Sequence, residues 1–189
     1  GTQTFTGALG SFTSFSAENT VVVTHDAESI ADGTAVSTSG AGGFTFTNFL
    51  ADLTNAATGV VNVTLDSDSG TNKNSNITNN GSVLTVKSGS FGTTDTITLK
   101  GSNSITVEAS DSLNVITGSA SATIDSASGK SVSITANGMS DSATLSIRGE
   151  GSHVISGLKA DLDSSVAALG SSASVTVTTA DVSSQTIDF

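Results

Sequence analysis

Short runs in which apolar and polar residues alternate recur along the whole chain. They predict strands near 20–24 (TVVVT), 44–47 (FTFT), 60–65 (VVNVTL), 82–87 (SVLTVK), 95–99 (DTITL), 104–108 (SITVE), 112–116 (SLNVI), 120–124 (ASATI), 131–135 (SVSIT), 143–147 (ATLSI), 152–156 (SHVIS), 173–178 (ASVTVT) and 185–189 (QTIDF). Gly, Asn, Asp and Ser fill the gaps. Ile97, Ile105 and Leu113 follow one another at steps of eight, as do Ile124 and Val132. Steps this short and even predict an all-β architecture of the sandwich, barrel or solenoid kind. Asp adds a second, longer period at positions 95, 111, 125, 141, 161 and 181. Just before a strand, an Asp side chain can accept a downstream backbone N–H and close a turn. Two strands and two turns fit that longer period, which is one coil of a parallel β-solenoid. A tandem β-sandwich is the alternative. The solenoid reading places Ile97, Ile105, Leu113, Ile124, Ile134 and Ile147 in one core.

One stretch departs from the alternation. In SGLKADLDSSVAALG (156–170), Leu158, Leu162, Val166 and Leu169 recur at helical spacing, with Ser156 and Gly170 as caps. A short helix near 156–169 is expected there, covering one side of the sheet.

The chain also repeats itself. FTFTNFLADL (44–53) aligns with HVISGLKADL (153–162), VVVT (21–24) with VSIT (132–135), and VNVTL (61–65) with SVTV (174–177). This divides the chain into a Phe-rich N-terminal unit, 1–65, and a second unit, 66–189, and suggests a modular array. Six of the eight Phe lie at positions 5, 12, 15, 44, 46 and 49. They are read first as core, and second as a sticky surface for a neighbouring subunit or module.

Composition narrows the class. Ser and Thr make about a third of the chain, and there is no Pro, Cys, Trp or Tyr. Without Cys there are no disulfides and no thiol chemistry. Six basic residues face 17 acidic ones, a net charge of −11, which repels nucleic acid and anionic membranes. No run of about 18 apolar residues is present, so no membrane span is expected. No charged segment followed by an apolar one opens the chain, so no signal peptide is read.

Residues 142–189, SATLSIRGEGSHVISGLKADLDSSVAALGSSASVTVTTADVSSQTIDF, carry an alternating strand with a Gly-Ser turn (LSIRGEGS), a Val-rich strand, GLKADL, and VTVTTAD followed by TI. In that order they resemble the β-strand-repeat regions of giant bacterial surface proteins: RTX-type, type-I-secreted adhesins and S-layer-like proteins. The resemblance extends over about the last 80 residues, from DSLNVITGSASATI (111–124) onwards. It implies a repeat module of an extracellular structural or adhesive protein at the bacterial cell surface. The calcium-binding nonapeptide of RTX proteins, G-G-x-G-x-D, is missing, so calcium binding does not follow from the resemblance.

Candidate chemistry is sparse. LDSDSGTNKNSN (65–76) opens like a calcium loop: Asp66 and Asp68 offer carboxylates, and Asn72 or Asn74 an amide oxygen. Calcium wants six to eight oxygens. No bidentate Glu follows, and Lys73 repels the ion. A solvated turn is therefore the first reading, and a weak calcium site at Asp66 and Asp68 the second. His25 and His153 form no cluster, and no G-x-S-x-G elbow supports a Ser–His–Asp triad. Asp161 and Asp163 are paired carboxylates as in a glycosidase, but the chain lacks the Trp and Tyr that line sugar grooves. Asn62, Asn76 and Asn80 begin N-x-[ST] triplets, which so much Ser and Thr supplies by chance.

The expectation is a non-enzymatic structural or assembly module of an S-layer, filament or adhesin. Its partners would be further copies, neighbouring modules of the same protein, or a cell-surface glycan. The alternative is a binding module for glycan or ice. Thr96/Thr98 and Thr176/Thr178 are the ice-like pairs, and in the sequence they do not recur in register. A flat Thr-rich ladder would favour ice, and an aromatic groove a glycan enzyme.

Overall fold

A computed structural model of the protein describes residues 2–5, 12–66, 74–89, 95–136, 139, 143–157, 166–169 and 174–179. These residues form eighteen strands and no helix. Nine belong to one sheet, here sheet A: β1 (Thr2–Phe5), β3 (Val22–Asp26), β5 (Gly43–Phe49), β7 (Val61–Leu65), β9 (Leu84–Lys87), β11 (Ile105–Ala109), β13 (Ala122–Ser126), β15 (Leu145–Gly149) and β17 (Val166–Leu169). The intervening nine make sheet B: β2 (Ser14–Ala17), β4 (Ala35–Gly40), β6 (Asp52–Asn55), β8 (Asn74–Asn79), β10 (Thr96–Gly101), β12 (Leu113–Thr117), β14 (Ser131–Ala136), β16 (Ser152–Gly157) and β18 (Ser174–Thr179). The chain crosses from one sheet to the other at every turn, and each strand pairs in parallel with the strand one coil away. This is a two-sheeted parallel β-solenoid, as the spacing predicts, and the parallel pairing sets aside the antiparallel sandwich.

Residues that pair between successive coils lie 16 apart at the shortest (Phe49 with Leu65, past the irregularity in β5) and 24 at the longest (Leu53 with Ile77). The Asp period is a fair measure of this coil, and the eight-residue step is its half. Ile97 and Leu113 belong to sheet B, Ile105 and Ile124 to sheet A, so a step of eight carries an apolar residue to the facing sheet. All six expected core residues are buried: Ile97, Ile105, Leu113, Ile124, Ile134 and Ile147. They stack in columns, such as Ile97, Val115, Ile134 and Ile155 in sheet B. Each fully buried aliphatic side chain is worth about 1.5–3 kcal/mol of transfer free energy.

The helix expected over 156–169 is corrected at both ends. Ser156 and Gly157 complete β16, and Val166–Leu169 is β17, paired with β15 through Leu145–Val166 and Ile147–Leu169. A vacant sheet edge offers residues 166–169 backbone partners and an apolar neighbour, which outweighs the modest helix propensity of VAAL. Residues 158–165 lie outside the described residues, as does the strand expected at 185–189. Five strands of the first 80 residues escaped the alternation test: β1, β2, β4, β6 and β8. The last, NSNITN, turns Ser75, Ile77 and Asn79 inward, and a buried polar residue at an inward position hides the alternation.

The sequence repeat has a structural meaning. VVVT and VSIT fall on β3 and β14, FTFT and HVIS on β5 and β16, VNVTL and SVTV on β7 and β18. Each pair matches a sheet-A strand to a sheet-B strand, eleven strands on. The repeat thus spans five and a half coils and carries strands of sheet A onto strands of sheet B. Both sheets continue across the 65/66 boundary, through β7 with β9 and β6 with β8.

Of the Asp turns, Asp111 shows the expected bond: the Ser112 N–H donates to its Oδ1 at 3.0 Å. Lys130, one coil on, donates to the same oxygen at 3.0 Å. The Lys130 hydrogen bond, helped by that of Ser112, holds the Asp111 carboxyl below its ordinary value of 3.8. A depressed folded-state pKa adds stability at neutral pH that disappears as pH falls from the unfolded value through the lowered one. Both side chains are well exposed to solvent, so the pair is worth less than about 1 kcal/mol. Asp111→Asn is expected to lower the thermal midpoint slightly at pH 7 and not at pH 2; melts at the two pH values check this.

Candidate functional site

Because coils stack in register, outward residues also form columns. On sheet A one column reads Thr24, Thr45, Asn62, Thr85, Thr106, Thr123 and Ser146, each paired with the next across adjacent strands. All seven are half-buried, as side chains packed against neighbours above and below must be. Two residues earlier runs a second column: Val22, Gly43, Val60, Val83, Ser104, Ser121 and Thr144. Its continuity shows in Val22 pairing with Gly43 and in the carbonyls of Val60, Val83, Ser121 and Thr144, which accept ladder hydrogen bonds. Val22, Val60 and Val83 are three of the five large apolar side chains exposed among the described residues. Two residues on the other side, the charges collect: Asp26, Lys87, Glu108, Asp125 and Arg148, with Lys87 and Glu108 bridged at 3.3 Å.

Sheet B is less uniform. Thr96 leads through Asn114, Ser133 and Val154 to Thr176, and Thr98 through Ile116, Thr135 and Ser156 to Thr178. The two Thr pairs, unrelated in the sequence, therefore share the same two columns, four coils apart. Toward β6, ionic and amide groups take over. The Asn76 amide donates to both Asp52 carboxylate oxygens, at 3.0 and 3.1 Å, and its oxygen accepts from Lys100 at 3.2 Å. One triplet Asn thus has its amide engaged by a neighbouring carboxylate.

Where sheet B turns into sheet A, a shallow cleft of about 380 Å³ is lined by Gly81, Ser82, Val83, Leu84, Asn103, Ser104 and Thr106. No ring lines it. Behind it runs a buried polar ladder. Thr38, Asn55 and Asn79, all buried, occupy equivalent positions in successive coils. Thr38 donates to Asn55 Oδ1 at 2.7 Å, and Asn55 donates to Asn79 Oδ1 at 2.8 Å. Asn79 donates to the carbonyls of Ser82 at 3.0 Å and Ser104 at 2.7 Å. In the next coil the position is Gly101, at φ +115°, where an added Cβ would stand 2.2 Å from the Asn79 carbonyl oxygen. The ladder ends there because the turn admits only glycine.

The titratable candidates do not converge. His25 lies in β3 against Phe15 and Phe46, with ring centroids 5.4 and 6.2 Å away. His153 lies in β16, six coils on, or roughly 29 Å at the usual strand spacing. Its Nε2 is 2.9 Å from Ser126 Oγ. That Ser–His contact was not legible in the sequence, since 27 residues separate the two. Both residues are sealed in the core, where a nucleophile meets no substrate. Asp161 and Asp163 lie outside the described residues.

Asp66 is half-buried at the end of β7, with its N–H donating to the Phe49 carbonyl at 3.1 Å. Asp68 lies outside the described residues, among which no three acidic or His side chains group as metal ligands. The sequence favours a solvated turn, so the thermal midpoint is expected to be the same in EDTA and in calcium. A midpoint that falls in EDTA, recovers with calcium, and no longer responds in Asp66→Ala would reverse this, since a ligand of the native state stabilises by mass action.

No family model, curated protein or solved structure matches the chain. No helix among the described residues is long and apolar enough to cross a membrane.

Proposed function

We propose that this chain is a structural module of an extracellular bacterial surface protein, an S-layer, filament or adhesin, working through its shape and its contacts with like modules. One observation carries the reading: two nine-stranded parallel sheets wrap a single continuous core, and the first and last strands of each sheet are paired on one side only among the described residues. Such edges template further pairing. Stacked repeats make stiff, extendable bodies in which each coil contacts mainly its neighbours. The Phe residues expected to be sticky divide. Phe44, Phe46 and Phe49 fill the core, whereas Phe12 is 56% exposed near the β2 edge. A glycan-binding role has less support, because the cleft has no aromatic ring against which a sugar could stack.

Light scattering and electron microscopy of the chain across a salt series test the proposal. With a net charge of −11, copies repel at low salt. They should join as the Debye length shortens from about 30 Å at 0.01 M to about 8 Å at 0.15 M, and Phe12→Lys should weaken the joining. Monomers at every salt concentration would overturn it.

A further inference from the structure

Going beyond that reading, we infer that the outward face of sheet A, along the column Thr24–Thr45–Asn62–Thr85–Thr106–Thr123–Ser146 and its valine-bearing neighbour, is an ice-binding surface. A crystal face of water is an uncharged array of hydrogen-bonding sites with translational repeat. A protein surface that holds it must offer donors, acceptors and methyl groups at constant spacing on a stiff support, without ions, which the lattice excludes. The two columns of sheet A meet each condition, with the charged column bounding them on one side. Seven consecutive coils place a hydroxyl or amide at the same register position. The coil repeat sets these groups about 4.8 Å apart along the column, and the second column lies two residues, about 6.7 Å, away. Six of the seven are Thr or Ser, each able to donate one hydrogen bond and accept two. Thr also carries a methyl group and a stiff χ1. Half-burial by stacked neighbours restricts these side chains further.

Charge placement singles out the same face. The chain carries 23 ionisable Asp, Glu, Lys and Arg residues, yet none occurs in either column across seven coils. The charges of sheet A are confined to the third column, and the irregularity in β5, between Phe46 and Phe49, falls beyond the hydroxyl column. Sheet B provides a contrast within the molecule. Its columns are interrupted by Ile116 and Val154, and at one end by the Asp52–Asn76–Lys100 chain.

The test is partition of the purified chain into slowly grown ice, read on dilute monomer so that the outcome is separate from assembly. The chain should be enriched several-fold in the ice fraction relative to an inert protein of similar size. Thr85→Lys and Thr106→Lys should reduce it to the level of the inert protein, while Thr135→Lys on sheet B keeps the enrichment. Circular dichroism and thermal melts of all three variants confirm that the fold is retained. Exclusion of the unaltered chain from ice would overturn the inference. So would equal loss in the sheet-B variant, or adsorption to insoluble cellulose or chitin together with exclusion from ice.

Discussion

Asn79→Ala is expected to destabilise the fold by about 2–6 kcal/mol, since each buried donor left unmade costs about 1–3 kcal/mol. The side chain of Asn79 accepts from the Asn55 amide at 2.8 Å and from the Gly81 N–H at 3.2 Å, and it donates to two carbonyls. Alanine strips the Asn55 amide of an acceptor where water does not reach, because Asn55 and Asn79 are completely buried, and takes the partner from the half-buried Gly81 N–H. Asn80→Ala is the control. Asn80 is exposed and accepts from Ser102 at 3.2 Å, so its loss should stay within about 0.5 kcal/mol. The double variant Asn55→Ala/Asn79→Ala should cost less than the sum of the two singles, because the second change removes a donor that the first had orphaned. Urea denaturation gives the free energies. Hydrogen exchange locates the damage, which should centre on β6, β8 and the turn before β11, since a solenoid transmits stability mainly between neighbouring coils.

Phe46→Ala is expected to cost about 3–5 kcal/mol. Phe46 is completely buried, with Phe15 edge-on at 5.4 Å, Phe49 at 5.5 Å, Phe44 stacked at 6.2 Å and His25 edge-on at 6.2 Å. Removing the ring opens a void that β-sheet backbone on both sides cannot collapse to fill. Phe12→Ala, at an exposed position, should leave the denaturation midpoint unchanged. If the two variants melt alike, the Phe cluster is not the core of the first coils.

The asparagine ladder and the hydroxyl column were hidden from the sequence for different reasons. Asn55 and Asn79 stand at inward positions where an alternation test looks for apolar residues, so β6 and β8 went unrecognised. Only the neighbouring coil supplies the partner that makes a buried amide tolerable. The column residues Thr85, Thr106 and Thr123 are each visible as the polar member of a recognised strand. Nothing in the sequence states that they are stacked, because the separation of paired residues varies between 16 and 24 and no fixed period aligns them. The same variation kept Thr96/Thr98 and Thr176/Thr178 from appearing related. The helix expected at 156–169 failed where it overlaps β16 and β17, because a local periodicity carries no information about a sheet edge nearby.

The sequence alone determined what depends on neighbours along the chain: the β class, the half-coil step of eight, the Asp-closed turn at Asp111, and the identity of the apolar core from Ile97 to Ile147. These follow from the two-residue period of a strand and from turn chemistry, both local properties. Tertiary structure decided what depends on neighbours one coil away. It set which strands pair, put His153 on Ser126 while leaving His25 among phenylalanines, and gathered scattered threonines into one uncharged column. Register between coils is set by variable turns and by the packing of side chains about 20 residues apart, and that information exists only once the coils have stacked.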